Sequence, residues 1–301
     1  MLTFLLRRTL AAVLFVAVVS TAAVVLTRLA PGDATLGMKE YGHTDAQIAR
    51  ERAQLGLDRP IHEQVWTWLR GLAHLELGRT RAGQPVRALV IAAAANTALL
   101  ASVALIFATL LGVPLGMLTG ARPRGWLATI VLPVSIALLA CPPIVGTLAL
   151  LLLAVETGWL SVAPGSLALP AIALALPIAA SLERLQAQAT GETLAAPDLT
   201  AAAARGVPQR RLLWVHAARQ SLQPVLGVYG LVIASLFSGS LAVEAITSWP
   251  GLGQLMKTAL TSREVFLTAG CALAGAILIA AANLIADVLR AIVDPRLRGG
   301  A

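Results

Sequence analysis

The chain has 301 residues, 57% of them hydrophobic and only 13% charged, with a formal net charge of +8. A soluble domain carries about 25% charged residues, so this chain lacks the polar surface to wet a water-soluble fold and reads as a polytopic membrane protein. The basic excess is no nucleic-acid signature, because it is arginine except at Lys39 and Lys257 and is not clustered with aromatic residues.

Residues 1–29 begin Met-Leu-Thr-Phe-Leu-Leu-Arg-Arg and continue apolar to Leu29. That run is too long for a signal-peptide core and long enough to span a bilayer, so it predicts a retained first helix over 1–30. Arg7 and Arg8 place its N-terminus in the cytoplasm, and Arg28 is expected to snorkel to the far interface. Pro31-Gly32-Asp33 then opens an external segment, 31–90, with nearly balanced charge, three of the four histidines and amphipathic stretches near 44–55 and 60–76. His43, His62 and His74 form no ligand pair on one helix face.

Five more spans are predicted at about 94–119, 127–154, 166–184, 222–246 and 266–291, giving an all-α membrane protein with six transmembrane helices. Pro114, Pro133, Pro142-Pro143, Pro170, Pro177 and Pro224 fall within or near their ends, where they kink helices that packed neighbours re-satisfy. Cys141 and Cys271 lie inside apolar runs and read as packing residues. Arg122 and Arg124 follow the second span, Arg205, Arg210, Arg211 and Arg219 the fourth, and Arg296 and Arg298 the sixth. These loops share one side, so the positive-inside rule puts both termini, including the 294–301 tail, in the cytoplasm.

Between the fourth and fifth spans lies a polar insert, Pro197 to Pro224. Ala201–Ala204 favour helix, Gly206 suits a left-handed cap, and Pro208 suits a fresh helix start. Two short helices meeting at a corner are expected, with small side chains exposed on the first and Arg210, Arg211, His216 and Arg219 on the second. Small side chains let another protein's backbone approach closely, so the insert reads as a docking knuckle.

Some function classes are excluded. Glu183, Arg184, Glu244 and Asp287 all fall near predicted span ends, leaving no mid-membrane group to couple an ion gradient. The nearest match to a phosphate-cradling loop runs from Gly251 to Lys257-Thr258, with Met256 where the second glycine is required, and it fails. His216 is separated from the other histidines by the bilayer, so no catalytic triad assembles. Trp249 reads as an interfacial anchor and Pro250-Gly251 as a turn.

The pattern Thr200-Ala201-Ala202-x-x-x-Gly206, followed by His216, resembles the cytoplasmic coupling loop of ABC-importer permeases, usually Glu-Ala-Ala-x-x-x-Gly. Thr200 occupies the glutamate position, so a salt bridge specific to that glutamate is not carried over. Arg28 to Asp33, Leu55 to Pro60, Leu77-Gly-Arg79, the string Glu244…Trp249-Pro250-Gly251-x-Gly253 and Asn283 to Asp294-Pro295-Arg296 resemble the dipeptide, oligopeptide and nickel branch over nearly the whole chain.

The resemblance implies a type I ABC-importer permease core over 91–293, with a coupling loop at 193–220, in the bacterial inner membrane. It implies no catalysis, metal or cofactor in this chain. ATP and Mg would be bound by one or two ATPase subunits, working with a second permease and an external solute-binding protein. The coupling residues would be Thr200, Ala201, Ala202, Arg205, Gly206, Pro208, Arg210, Arg211 and His216. Those of the external signature would be Glu244, Trp249, Pro250, Gly251 and Gly253. The implied cargo is a dipeptide or oligopeptide, with nickel or a metal chelate as the alternative. A non-transporting membrane scaffold is the reading of another class.

Overall fold

The computed structural model describes residues 2–30, 35, 44–54 and 56–293. Pro31 to Asp33, Lys39, His43 and the Asp294 to Arg298 motif lie outside the described residues, as does the side chain of Asp287. Among the described residues the regular elements are helices, with one isolated bridge pairing Arg79 and Pro85. In chain order the helices are α1 (Leu2–Leu29), α2 (Asp45–Gln54), α3 (Ile61–Ala73), α4 (Val86–Ala121), α5 (Trp126–Ala140), α6 (Pro143–Thr157) and α7 (Ala168–Leu194). There follow α8 (Pro197–Ala204), α9 (Gln209–Arg211), a π-helical turn (Leu212–Ala217), α10 (Ala218–Thr247), α11 (Leu252–Thr261) and α12 (Val265–Val293).

By length and composition α1, α4, α7, the Gln209–Thr247 run and α12 can each cross a membrane. The predicted span at 127–154 is two helices, α5 and α6, bent by 112° at a break. Its cause is local. Pro142 and Pro143 both lack an N–H and restrict the residue before them, so the α5 ladder stops at Ala140 and a new helix begins with Pro143 in its first turn. The pair completes a set of six if counted as one span.

The chain divides into two compact units, Met1–Ala98 with Pro250–Ala281 and Leu99–Trp249 with Ala282–Ala301. In the first, the amphipathic stretches at 44–55 and 60–76 form α2 and α3. Trp68 is buried and stacks on Phe266 of α12, ring centroids 6.3 Å apart. Around them Leu57, Leu77, Val86, Val90, Leu252 and Val265 close one apolar core. Arg28 Nη2 donates to the Leu57 carbonyl at 2.8 Å, tying the end of α1 to the segment after α2. Much of α1 stays uncovered, with Leu10, Val13, Leu14 and Val18 exposed as a lipid-facing surface requires.

In the second unit α7 is the hub, packed against α5, α6 and α10. Three glycines of α4, spaced by four, bring that helix onto α7. A Cβ at Gly112 would lie 2.5 Å from the Ala179 carbonyl oxygen, one at Gly116 2.5 Å from that of Glu183, and one at Gly120 would collide with that of Ala187. Without a hydrophobic force between helices in lipid, backbone contact of this kind is a main source of association.

Candidate functional site

The polar insert is built by capping. α7 gives way at Ala195-Ala196, and Pro197 opens α8. Leu199 anchors α8 in a small apolar cluster with Met117, Leu212, Leu213 and Ala217. α8 ends at Ala204 and is closed by Gly206, whose φ of +86° is open to glycine and strained for other residues. The Gly206 N–H donates to the Ala203 carbonyl and the Val207 N–H to that of Ala202, the paired bonds that satisfy a glycine-terminated helix. Val207 and Ala202, the residues those bonds bring together, both pack on the same cluster. Pro208 is extended (φ −64°, ψ 140°) and starts the next helix.

That next helix is not short. α9, the π turn and α10 form one run, Gln209–Thr247, because nothing between Leu212 and Ser221 breaks it and Pro224 is absorbed inside α10. The π turn sets its faces: Leu212, Leu213 and Ala217 are buried, whereas Trp214, Val215 and His216 are exposed. Gln220 Nε2 donates to Asp198 Oδ2 at 3.1 Å and so ties α8 to α10. That bond holds the exposed Asp198 carboxyl below the usual carboxylate value.

The expected coupling residues therefore share one corner, with different orientations. Thr200, Ala201, Arg205, Gly206, Pro208, Arg210, Arg211 and His216 are exposed. Ala202 is half-buried and turned toward the supporting cluster. Thr200 Oγ1 donates back to the carbonyls of Ala196 and Pro197, so this hydroxyl serves its own helix.

The expected signature at 244–253 falls partly in each unit. Glu244 is fully buried, and its carbonyl accepts the Trp249 N–H at 3.1 Å. Trp249 is 6% exposed and packs in an apolar core, so it is a core residue and not the interfacial anchor its position suggested. On the other side of the boundary, Gly251 precedes α11, the Leu252 N–H donates to Thr97 Oγ1 at 2.8 Å, and Asn96 Nδ2 donates to the Pro250 carbonyl. Leu252 to Met256, the stretch that would have to form an open phosphate loop before Lys257 and Thr258, already lies within helix α11.

A polar centre inside the second unit escaped the sequence reading. Glu183 is not at a span end, because α7 continues about three turns beyond it to Leu194. Its side chain is 3% exposed. Thr119 Oγ1 of α4 donates to Oε1 at 2.7 Å and Ser135 Oγ of α5 to Oε2 at 2.8 Å, so one carboxylate joins three helices. One turn on, the fully buried Gln186 donates from Nε2 to Thr190 Oγ1 and to Ser221 Oγ of α10. The available signal was spacing: Glu183, Gln186 and Thr190 follow an i, i+3, i+7 stripe on one face.

Residues 112–299 match the model of the family described as "Binding-protein-dependent transport system inner membrane component". Residues 1–88 match the corresponding N-terminal family, "Binding-prot-dependent transport system membrane comp, N-term". The chain belongs to this family. Its similar relatives include the oligopeptide transport system permease protein AppB of Bacillus subtilis (strain 168), 31% identical over 99% of both chains. The oligopeptide permease protein OppB of Salmonella typhimurium is 29% identical over 99% of this chain and 100% of its own. The glutathione transport system permease protein GsiC of Salmonella choleraesuis is 26% identical over 99% of both. This permease is thus a multi-pass, inner-membrane and non-catalytic component of a binding-protein-dependent importer. It carries no cofactor, and ATP is handled by partner ATPases.

Proposed function

We propose that the permease moves short peptides inward across the cytoplasmic membrane, with the α8 corner as the surface on which an ATPase subunit docks. The observation that carries this reading is the corner itself. A short helix projects Ala201, Ala203 and Ala204 outward, is terminated by Gly206, and is held rigidly to α7 and α10 through Leu199, Val207 and the Asp198–Gln220 bond. A partner that closes on such a knob moves two long helices at once. Exposed Arg205, Arg210 and Arg211 supply charge complementarity or lipid-headgroup contacts beside it. The relatives named for oligopeptides and glutathione support short peptides as the cargo class.

In the mechanism proposed, ATP-driven closure of the ATPases pulls the corner, the helix bundle switches from inward- to outward-facing, and solute delivered by the binding protein passes between this chain and a second permease. Arginine enrichment after α4 and around α8 and α9 supports a cytoplasmic corner with both termini inside, and an external position for residues 31–90.

The test is affinity purification of the tagged complex with uptake measured in parallel. Ala201→Trp adds bulk to an exposed site without strain, and Gly206→Trp adds bulk and strain together. Both should lose the ATPase subunit and peptide uptake while remaining in the membrane. Normal uptake by Ala201→Trp would overturn the docking role. Recovery of a binding protein that takes nickel and ignores peptides would overturn the cargo assignment alone.

A further inference from the structure

Beside the corner, the second unit holds a cleft of about 560 Å³ between the start of α5 and the α9–π turn. Arg122, from the loop after α4, and Arg210, from α9, line it, with Trp126 and Trp214 among its walls and Leu118 and Leu213 among its apolar lining. We propose that this cleft binds the phosphate headgroup of an anionic phospholipid of the surrounding leaflet.

Three observations carry the assignment. The two arginines come from segments nearly ninety residues apart, are exposed, and have no carboxylate partner among the described residues. Two guanidiniums left to solvent at one cleft recognise a phosphate through charge-assisted, bidentate bonds. Trp126 is 76% exposed and Trp214 48%, an arrangement costly in bulk water and suited to the headgroup layer, where an indole has one wet edge and one apolar face. Finally, the cleft adjoins an uncovered apolar flank: Leu118 lines it, and Leu110, Leu111 and Ile130 are exposed nearby on α4 and α5. An acyl chain leaving the cleft would meet that flank. A soluble ATPase would have to cover it at a surface the bilayer already covers, so the lipid is the better occupant. Bound there, the phosphate bridges the α4–α5 loop to the helix that leads from the corner, the connection a docking stroke would load.

The assignment rests on the proposed cytoplasmic placement only for which leaflet supplies the lipid. Its test needs no ATPase, so failure of the docking role and failure of this site are separable. The purified full-length chain, stripped of lipid, is titrated with phosphatidylglycerol, with phosphatidylcholine of the same acyl chains, and with inorganic phosphate, and retained lipid is counted by native mass spectrometry. Phosphatidylglycerol should be retained in preference. Arg122→Gln with Arg210→Gln should weaken that retention by about thirtyfold, since each arginine near an anionic surface contributes about a fivefold to tenfold effect. Arg59→Gln, an exposed arginine of the other unit, should change nothing.

Equal retention of the two lipids would overturn the proposal. So would unchanged retention in the double variant, or complete displacement of the lipid by millimolar phosphate, which would mark a free-anion pocket.

Discussion

The Glu183 centre gives the sharpest energetic prediction. Glu183→Ala removes the acceptor for two buried hydroxyls. Thr119 Oγ1 has a fallback, the Gly116 carbonyl at 3.3 Å, whereas Ser135 Oγ has no second partner among the described residues. A hydrogen bond contributes about 0.5–1.5 kcal/mol, and a hydroxyl left buried and unmet costs about 1–3 kcal/mol. With one bond partly replaced, Glu183→Ala should destabilise by about 3 kcal/mol. Glu183→Gln keeps the shape and one acceptor oxygen, and both hydroxyls can rotate, so about 1 kcal/mol is expected. The assay is equilibrium unfolding in mixed micelles, run as a double-mutant cycle with Ser135→Ala. Ordinary interhelical hydrogen bonds in membranes average about 0.6 kcal/mol in such cycles. A coupling of about 1.5 kcal/mol or more would confirm that the carboxylate clamps α5 to α7. A coupling at or below the ordinary value, with Ala and Gln variants equally stable, would refute the reasoning.

Three further outcomes follow from the packing. Gly116→Ala forces a methyl against the Glu183 carbonyl and should cost about 1–3 kcal/mol, whereas Gly227→Ala, with open space at its Cβ, should stabilise α10 by up to about 1 kcal/mol; the same unfolding assay reads both. Trp68→Ala removes a buried, stacked ring and should cost about 3–5 kcal/mol, seen as faster proteolysis of residues 44–85, while the exposed Trp66→Ala should leave the digestion unchanged. Because the folded Asp198 carboxyl sits below its ordinary 3.8, it binds a proton less readily than in the unfolded chain, so its contribution is present above that value and lost as pH falls through the depressed one. Gln220→Ala should therefore lower stability at neutral pH and converge with the parent well below pH 3.8, and a difference that persisted there would exclude the Asp198 bond as its cause.

The legible parts of the chain were those where one residue type has one structural use. Gly206 followed by Pro208 admits few conformations, and the helix end and restart stand where those two residues put them. Long apolar runs located the spans for the same reason. The misreadings have a common origin in residues whose meaning depends on neighbours distant in sequence. Glu183-Arg184 looks like a membrane exit until Thr119 and Ser135 are placed against it, and the following Leu, Gln and Ala residues continue the helix by propensity. Trp249 suits an interface equally well as a core, and only the fold around it decides. Pro142-Pro143 announced a kink, but its size follows from two consecutive residues without an N–H. Gly112, Gly116 and Gly120 were visible at fixed spacing, yet their use depends on a partner helix that supplies carbonyls.

The break between α5 and α6 has a consequence for the lipid around it. α5 and α6 have 15 residues each, so each is about 22 Å long. A direction change of 112° leaves the pair its greatest reach when both halves tilt equally, by about 56° from the membrane normal, and that reach is about 25 Å. The hydrocarbon layer of a typical bilayer is about 30 Å thick. Counted as one span, the pair falls about 5 Å short of that layer, a mismatch met by local thinning of the bilayer or by water entering from one face; counted as a re-entrant loop, it turns back without crossing.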